Sequence, residues 1–198
     1  MDILIACESS GIVREAFRRK GHDAWSNDFL PSDDSSPHHI AGNCVDVIMK
    51  TKWDLIIMHP PCTALAVSGN STYGKGMPKE NERKEAVRWT KELWNLAKVS
   101  APKVALENPV GVLNSIGKLG KPQYVQPYWF GHMEQKKTGL WLHNLPKLEK
   151  TNDVYEEMMK LPKRKRERLH YLSPSKDRWK VRSQTYRGLA EAMAEQWG

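Results

Sequence analysis

The stretch from Asp54 to Cys62 constrains the fold of this chain more than any other part of its sequence. Residues 54–58 form a short apolar run of the kind found in strands that are buried inside a sheet. Pro60 and Pro61 then fix their own φ angles and supply no N–H, so the strand must end there in a rigid turn. Open α/β sheets bind their ligands at the carboxyl ends of the strands. We therefore expect a functional site at this turn, with the Cys62 thiol in it.

The remaining chain alternates between strand patterns and helix patterns. We expect strands at residues 3–7, 23–27 and 103–107, and helices at residues 11–20, 78–99 and 186–197. Further expectations are loops at residues 31–39 and 68–78, a short helix at residues 110–116, and two paired strands at residues 124–130 and 138–142. Such alternation predicts an α/β fold with a mostly parallel sheet and helices on its faces. A chain of 198 residues fits one domain, residues 1–198, with a basic insertion at residues 143–182.

The composition narrows the classes of function. Hydrophobic residues make up 39% of the chain, and no apolar run approaches the roughly 20 residues of a membrane span, so we expect no membrane contact. The N-terminus opens directly into a strand pattern, and the three cysteines contain no C-x-x-C pair. These features predict a cytoplasmic protein with no disulfide framework and no metal site. A net charge of +8 favours a nucleic acid as partner, although solubility alone explains such a charge equally well.

Two short motifs carry most of the chemical information. Pro60-Pro61-Cys62 is one, and Leu106-Glu107-Asn108-Pro109 is the other. Each motif alone is weak, because a single cysteine after a strand usually belongs to the core and Glu-Asn-Pro usually marks a turn. Together, in this order, they resemble the nucleophile motif and the Glu-Asn-Val motif of the cytosine carbon-5 DNA methyltransferases, particularly the short phage-type members. Looser similarities to that family lie at residues 6–11, 130–142 and 182–198.

The resemblance implies a Rossmann-like fold of the class I S-adenosylmethionine-dependent methyltransferases, with Cys62 and Glu107 as catalytic residues. A thiolate that adds to carbon 6 of cytosine makes carbon 5 nucleophilic enough to take a methyl group. Nearby positive charge or a helix start would stabilise the thiolate of Cys62. Glu107 would donate a proton to ring nitrogen 3, and burial that raises the pKa of Glu107 would suit this role.

The resemblance also implies S-adenosylmethionine as the methyl donor. Gly11 would allow close approach of the backbone, and the helix start beside it would attract the carboxylate of the cofactor. Glu8 would bind the ammonium group, Asp28 the ribose hydroxyls, and Asn43 the adenine amino group. The expected cofactor-binding residues are Glu8, Ser9, Ser10, Gly11, Asp28, Asn43, Cys44, Pro60, Ser183 and Gln184.

DNA is the expected substrate, with the target base flipped out of the duplex and weak sequence specificity. Lys136 or Lys137 would neutralise charge near the base, and the loop at residues 68–78 would close over it. Residues 160–182 carry ten Lys and Arg, with Tyr171 and Trp179 available for stacking on bases. The expected substrate-binding residues are Pro61, Asn108, Lys136, Lys137, Lys75, Arg164 and Arg166.

Departures from the family keep two other functions open. Only about 40 residues separate Leu142 from Arg182, where the family has a large DNA-reading domain. The missing domain allows a methyltransferase that acts on RNA or on a free pyrimidine nucleotide instead of DNA. The first cofactor loop keeps only Gly11, which allows a catalytically silent DNA-binding module. The resemblance to compact, phage-type members implies an enzyme that modifies phage DNA, which would protect that DNA from host restriction. The target sequence and the oligomeric state stay open.

Overall fold

A computed structural model describes all residues from 1 to 198 and contains one sheet of seven strands. The strand order is β3-β2-β1-β4-β5-β7-β6. The first five strands in this order are parallel, and β7 runs antiparallel to both β5 and β6. The strands are β1 Asp2–Ala6, β2 Asp23–Asp28, β3 His39–Ala41, β4 Leu55–Met58, β5 Lys103–Pro109, β6 Gln123–Val125 and β7 Thr138–His143.

Helices cover both faces of this sheet. They are α1 Ile12–Arg19, α2 Cys44–Lys50, α3 Asn70–Tyr73, α4 Glu80–Ser100, α5 Tyr155–Met159, α6 Lys163–Arg166, α7 Arg178–Ser183 and α8 Arg187–Trp197. Short 3₁₀ turns lie at Val67–Gly69 and Pro127–Trp129. The expected α/β class is confirmed, and the sheet is Rossmann-like. None of the helices combines the length and the apolar character needed to span a membrane.

Successive side chains of the buried strands point to opposite faces of the sheet, and this produces two separate hydrophobic cores. On β1, Ile3 and Ile5 join the core beneath α1 and α8, whereas Leu4 and Ala6 join the core beneath α2 and α4. All four side chains are fully buried. Strands with both faces covered are continuous apolar runs, which explains why β4 was recognisable from its sequence alone.

The expected short helix at residues 110–116 is wrong. The segment forms turns, and its first residues pair with the chain that follows Cys62. Val67 donates its N–H to the carbonyl of Val110, and Val112 donates to the carbonyl of Leu65, each at 3.0 Å. Gly111 lies so close to this partner that a Cβ atom there would stand 2.1 Å from the Leu65 carbonyl oxygen. The bridge thus uses the Val110 carbonyl, which a helix beginning at this residue would have needed.

Two other expectations need correction at their ends. The segment at residues 68–78, expected to be a loop, contains the end of a 3₁₀ turn and the short helix α3, and α4 begins at Glu80 rather than at Pro78. The strand expected at residues 124–130 ends at Val125. Pro127 has no N–H to donate to a ladder, and a 3₁₀ turn begins there.

The basic segment between β7 and α8 is attached to the core at several points. Two of its own side chains, Met158 and Leu169, are buried. Asn152 accepts a backbone hydrogen bond of 2.8 Å from Gly131, and Arg166 accepts one of 2.7 Å from Gln135. The segment therefore lies against the loop that leads into β7. Its description as an insertion within a single domain stays a prediction.

Candidate active site

The end of β4 presents Cys62 through a short, well-defined turn. His59 still donates its backbone N–H to the Ala6 carbonyl at 3.0 Å, which extends the β1–β4 ladder by one residue. Pro60 and Pro61 then interrupt the ladder, because neither has an N–H. The carbonyl of Cys62 accepts two backbone N–H groups from the residues that follow, at 3.0 and 2.8 Å. The thiol is thereby held, partly buried, at the carboxyl edge of the sheet.

Cys62 and Glu107 lie close enough for their charges to interact, as the parallel pairing of β4 and β5 predicts. Burial raises the pKa of the Cys62 thiol, and the Glu107 carboxylate raises it further. Lys136 and Arg182 act in the opposite direction but do not outweigh burial. The positive charge expected near Cys62 is therefore present, yet Cys62 rests as a thiol.

Glu107 departs from its expected ionisation. Burial favours a higher pKa for its carboxyl group, but a hydrogen bond from His59 and the charge of Lys136 outweigh burial and lower the pKa overall. His59 Nδ1 lies 3.1 Å from Glu107 Oε2, and the two side chains are only 10% and 11% exposed. The expectation that burial raises this pKa is wrong, because it did not include His59. Glu107 rests as a carboxylate.

The structure separates the two lysines that were expected beside the base. Lys136 acts electrostatically on both Cys62 and Glu107 and lines a narrow pocket with Glu107. Its Nζ lies 3.4 Å from the carbonyl oxygen of Gln184. Lys137 instead places its Nζ 4.5 Å from the centre of the Tyr124 ring, a cation–π contact outside the pocket. Lys136 is the better candidate for charge neutralisation.

The other predicted substrate contacts are scattered. Pro61, Lys75 and Arg164 are exposed. Asn108 is buried, and its Nδ2 donates to the Pro60 carbonyl at 2.9 Å, so this group holds the turn rather than facing solvent. Arg166 directs Nη1 toward the sulfur of Met159 at 2.9 Å, which leaves it less available to a substrate than Arg164.

The Glu8 carboxylate hydrogen-bonds to the start of α1, the helix start that was expected to attract the cofactor carboxylate. Its Oε1 accepts the N–H of Val13 at 2.8 Å, and its Oε2 accepts the N–H of Arg14 at 3.3 Å. Ser10 Oγ adds a bond of 3.1 Å to the same carboxylate. The side chain thus caps α1 with its own negative charge. These bonds use two N–H groups of the helix start and part of the acceptor capacity of Glu8. The predicted contact between Glu8 and the cofactor ammonium group stays a prediction.

The remaining residues of the first cofactor loop, 9–11, also make close contacts within the protein. Gly11 has a φ of +69°, which favours glycine, and a Cβ atom at this position would clash with the Arg14 guanidinium at 2.3 Å. Arg14 is fully buried, donates to Ser26 Oγ at 2.7 Å and pairs with Asp34. Ser9 accepts the N–H of Asp33 at 2.9 Å. This loop therefore approaches an internal ion pair closely.

The ends of β2 and β3 fit the nucleoside end of a methyl donor better. One oxygen of Asp28 accepts the N–H of Leu30 at 2.9 Å, and the other makes no hydrogen bond within the protein. Phe29 follows immediately and is 76% exposed. Asn27 is buried, and its Oδ1 has no partner. A free carboxylate oxygen, an exposed aromatic ring and an unpartnered amide oxygen fit a ribose and a flat heterocycle.

Asn43 and Cys44 flank the same edge. Asn43 caps α2, because its Oδ1 accepts the N–H of Val45 at 3.1 Å, so its amide N–H groups are more available to a ligand than its oxygen. Cys44 is buried, and its Sγ lies 4.0 Å from Sγ of Cys7. The shared thiol contact is the largest cause of a raised pKa at Cys7 and a lowered one at Cys44.

Helix α7 reaches from the loop after β2 to the neighbourhood of Cys62. Lys180 pairs with Asp33, in the loop after β2, at 2.7 Å, whereas Arg182 lies within electrostatic reach of Cys62. Ser183 and Gln184 follow at the exposed end of this helix. The carbonyl of Gln184 lies beside Lys136. Their predicted role in cofactor binding stays a prediction.

Sequence reasoning missed two residues that shape the site. His59 had a detectable signal, since it stands between a buried strand and the nucleophile turn. Arg83 had none, because a single arginine inside a long helix is ordinarily a solvated residue. In the structure Arg83 is buried and bonds to the carbonyls of Ala64 at 2.6 Å and Ala66 at 3.2 Å. It holds the segment that follows Cys62 in place.

Comparisons with known proteins add little to this description. No protein-family model matches the chain, and no curated protein matches it. One similar solved structure is of a protein assigned as a DNA modification methyltransferase encoded within a prophage of E. coli. The two chains are 16% identical with a TM-score of 0.47, over 81% of this chain and 55% of that chain. This chain thus spans about half the length of the structure it matches. A likeness of this size does not transfer a function.

Proposed function

We propose that this protein transfers a methyl group from S-adenosylmethionine to carbon 5 of a cytosine in DNA. The observation that carries the proposal is the convergence of Cys62, Glu107 and Lys136 at the carboxyl ends of β4 and β5. These three groups provide a soft nucleophile, a proton carrier and a positive charge. Attack on carbon 6 of a pyrimidine ring needs all three.

Cys62 would attack first. Its sulfur forms a bond to carbon 6 of the flipped base, and the electrons of the carbon 5–carbon 6 double bond shift toward ring nitrogen 3, which takes up a proton. Carbon 5 of the resulting enamine can then accept a methyl group. The bound cofactor supplies that electrophilic methyl group. Afterwards the proton on carbon 5 passes to water, the carbon 5–carbon 6 double bond re-forms as the sulfur–carbon bond breaks, and nitrogen 3 returns its proton.

Glu107 would exchange the proton with nitrogen 3, since its carboxyl group lies within electrostatic reach of Cys62. Lys136, which acts on both groups, would offset the negative charge that accumulates during addition. The cofactor would lie along the ends of β1, β2 and β3. There Asp28 would bind the ribose hydroxyls and Asn43 would contact the adenine, beside Cys44 and Pro60.

The basic segment would bind the DNA backbone. Arg164 is exposed on α6, and Tyr171 and Trp179 are 42% and 56% exposed. Positive charges bind phosphates without reading sequence, whereas exposed aromatic rings can stack on unpaired bases. Both features support a nucleic-acid substrate of low sequence specificity. They are compatible with cytoplasmic phage DNA modification that protects against restriction.

Transfer of a labelled methyl group from S-adenosylmethionine tests this function. Purified protein is incubated with duplex DNA, single-stranded DNA, tRNA or free cytidine nucleotides. We expect label on DNA, at carbon 5 of cytosine, and no label with Cys62→Ala. Glu107→Gln should reduce the rate by about 10² or more, the usual contribution of a positioned acid–base group. Label on DNA that is unaffected by Cys62→Ala would contradict the mechanism, and label on tRNA or nucleotide alone would replace DNA as substrate.

One observation favours a second candidate, a silent DNA-binding module. Glu8 already occupies the helix start at which a cofactor carboxylate would bind. Calorimetry distinguishes the two functions. A silent module binds DNA but shows no heat of binding with S-adenosylmethionine, whereas the methyltransferase binds both.

A further inference from the structure

His59 is the closest polar partner of Glu107, and none of the predicted roles uses it. His59 follows β4 directly, and its backbone N–H donates to the carbonyl of Ala6 at the end of β1. Its Nδ1 lies 3.1 Å from Glu107 Oε2, with both side chains almost completely buried. The contact joins residues that are 48 positions apart in the chain. The other carboxylate oxygen of Glu107, Oε1, takes no part in this bond.

The second nitrogen of His59 identifies the tautomer. Nε2 is buried and has no hydrogen-bond partner. A proton on Nε2 would be a buried donor without an acceptor, which is more costly than a bare lone pair. The imidazole therefore carries a proton on Nδ1, from which it donates to the Glu107 carboxylate.

We propose that His59 is a positioning residue that keeps Glu107 ionised and correctly oriented before the reaction, so that Glu107 can accept the proton of the Cys62 thiol. This inference rests on the proposed function and assigns a role that the function itself does not require. The thiol proton passes to Glu107, directly or through one bridging water, as the sulfur forms its bond to carbon 6. The same proton then passes from Glu107 to ring nitrogen 3, where the displaced electron pair accepts it. No proton from solvent is needed, and the return path restores the thiol.

The other charged groups at the site fit this role. Lys136, from the loop before β7, also favours the carboxylate form of Glu107 and the thiolate form of Cys62. Arg182, from α7, favours the thiolate of Cys62. The Tyr186 hydroxyl lines the same pocket but donates to Glu134 at 2.7 Å and so does not compete for Glu107. His59 is thus the hydrogen-bond donor, and Lys136 the nearby charge, that favour the carboxylate.

Three variants test the proposal. His59→Leu removes the hydrogen-bond donor at similar volume, and His59→Asn retains a donor that does not titrate. His143→Leu is the control, because His143 lies on β7 beside the far end of β5. Carbon-13 NMR of labelled glutamate carboxyl groups follows Glu107, with Glu80 as an internal reference that pairs with Lys84 on α4. We expect the pKa of Glu107 to rise in His59→Leu and to stay low in His59→Asn and His143→Leu. An unchanged Glu107 titration in His59→Leu would overturn the proposal.

Methyl transfer provides the second measurement. In His59→Leu we expect kcat at neutral pH to fall about tenfold or more. We also expect the acidic limb of its pH profile to move to higher pH, with KM for DNA unchanged because His59 does not touch the substrate. His59→Asn should restore most of kcat. If Glu107 titrates as expected but the wild-type protein methylates no substrate, the proposed function fails and the catalytic role of His59 fails with it. Equal kcat values and pH profiles in wild type and His59→Leu would overturn the proposal alone.

Discussion

Asn108 donates a hydrogen bond of 2.9 Å from its side-chain nitrogen to the carbonyl oxygen of Pro60. The bond joins the end of β5, which carries Glu107, to the turn after β4, which carries Cys62. It is completely buried, and the side-chain oxygen of Asn108 has no partner. One amide thus adds a direct link between the nucleophile turn and the strand that carries the proton carrier.

Asn108→Ala should both destabilise the protein and misplace Cys62. Loss of the donor leaves the Pro60 carbonyl buried without a partner, so we expect the free energy of unfolding to fall by about 1–3 kcal/mol. Urea denaturation measures this change. Ser115→Ala is a suitable control, because Ser115 makes a similar bond to a backbone carbonyl at an exposed position, and its effect should stay within about 0.5 kcal/mol. Equal effects of the two substitutions would contradict the structural role of Asn108.

Alkylation of Cys62 as a function of pH should respond in opposite directions to its two charged neighbours. The Glu107 carboxylate raises the pKa of Cys62 and Lys136 lowers it. Glu107→Gln should therefore move alkylation by iodoacetamide to lower pH, and Lys136→Met should move it to higher pH. Peptide mass spectrometry separates Cys62 from the other two thiols. A shift in the same direction for both variants would exclude the observed arrangement of charges.

Two substitutions of Glu8 separate its capping role from a role in cofactor binding. Glu8→Ala removes both acceptors from the start of α1, and we expect a loss of about 1–2 kcal/mol in the free energy of unfolding. Glu8→Gln keeps one acceptor for the Val13 N–H and should lose less. Because the carboxylate is already used within the protein, we expect Glu8→Gln to bind S-adenosylmethionine with nearly wild-type affinity in calorimetry. A large loss of affinity would instead support direct contact with the ammonium group.

The basic segment should determine the salt dependence of DNA binding. Arg164→Ala and Lys165→Ala remove exposed charges on α6, and each should reduce the slope of log affinity against log salt by about one if that residue contacts a phosphate. Lys20→Ala is the control, since Lys20 follows α1 at the opposite edge of the sheet and pairs with Glu195. Fluorescence anisotropy at several salt concentrations measures the slopes. Unchanged slopes in the α6 variants would move the DNA interface elsewhere.

The strand ends were predictable from the sequence because their signals are local. An apolar run followed by Pro60 and Pro61 defines the end of β4 without any knowledge of its neighbours, and Glu107 follows a second such run. The helix expected at residues 110–116 failed because a distant segment competes for the same backbone groups. The ionisation of Glu107 was mispredicted for the same reason. It depends on an imidazole that only the β4–β5 pairing brings near.

The hydrogen bonds of Arg83 have a mechanical consequence. This guanidinium ties the chain after Cys62 to the first turns of α4, a helix of 21 residues and therefore about 30 Å in length. The helix also packs on the core along its length, through Val87, Leu93, Trp94 and Ala97. Arg83 therefore couples the position of the nucleophile turn to that of the whole helix, and a rigid-body shift of α4 would reach this turn without anything entering the cleft.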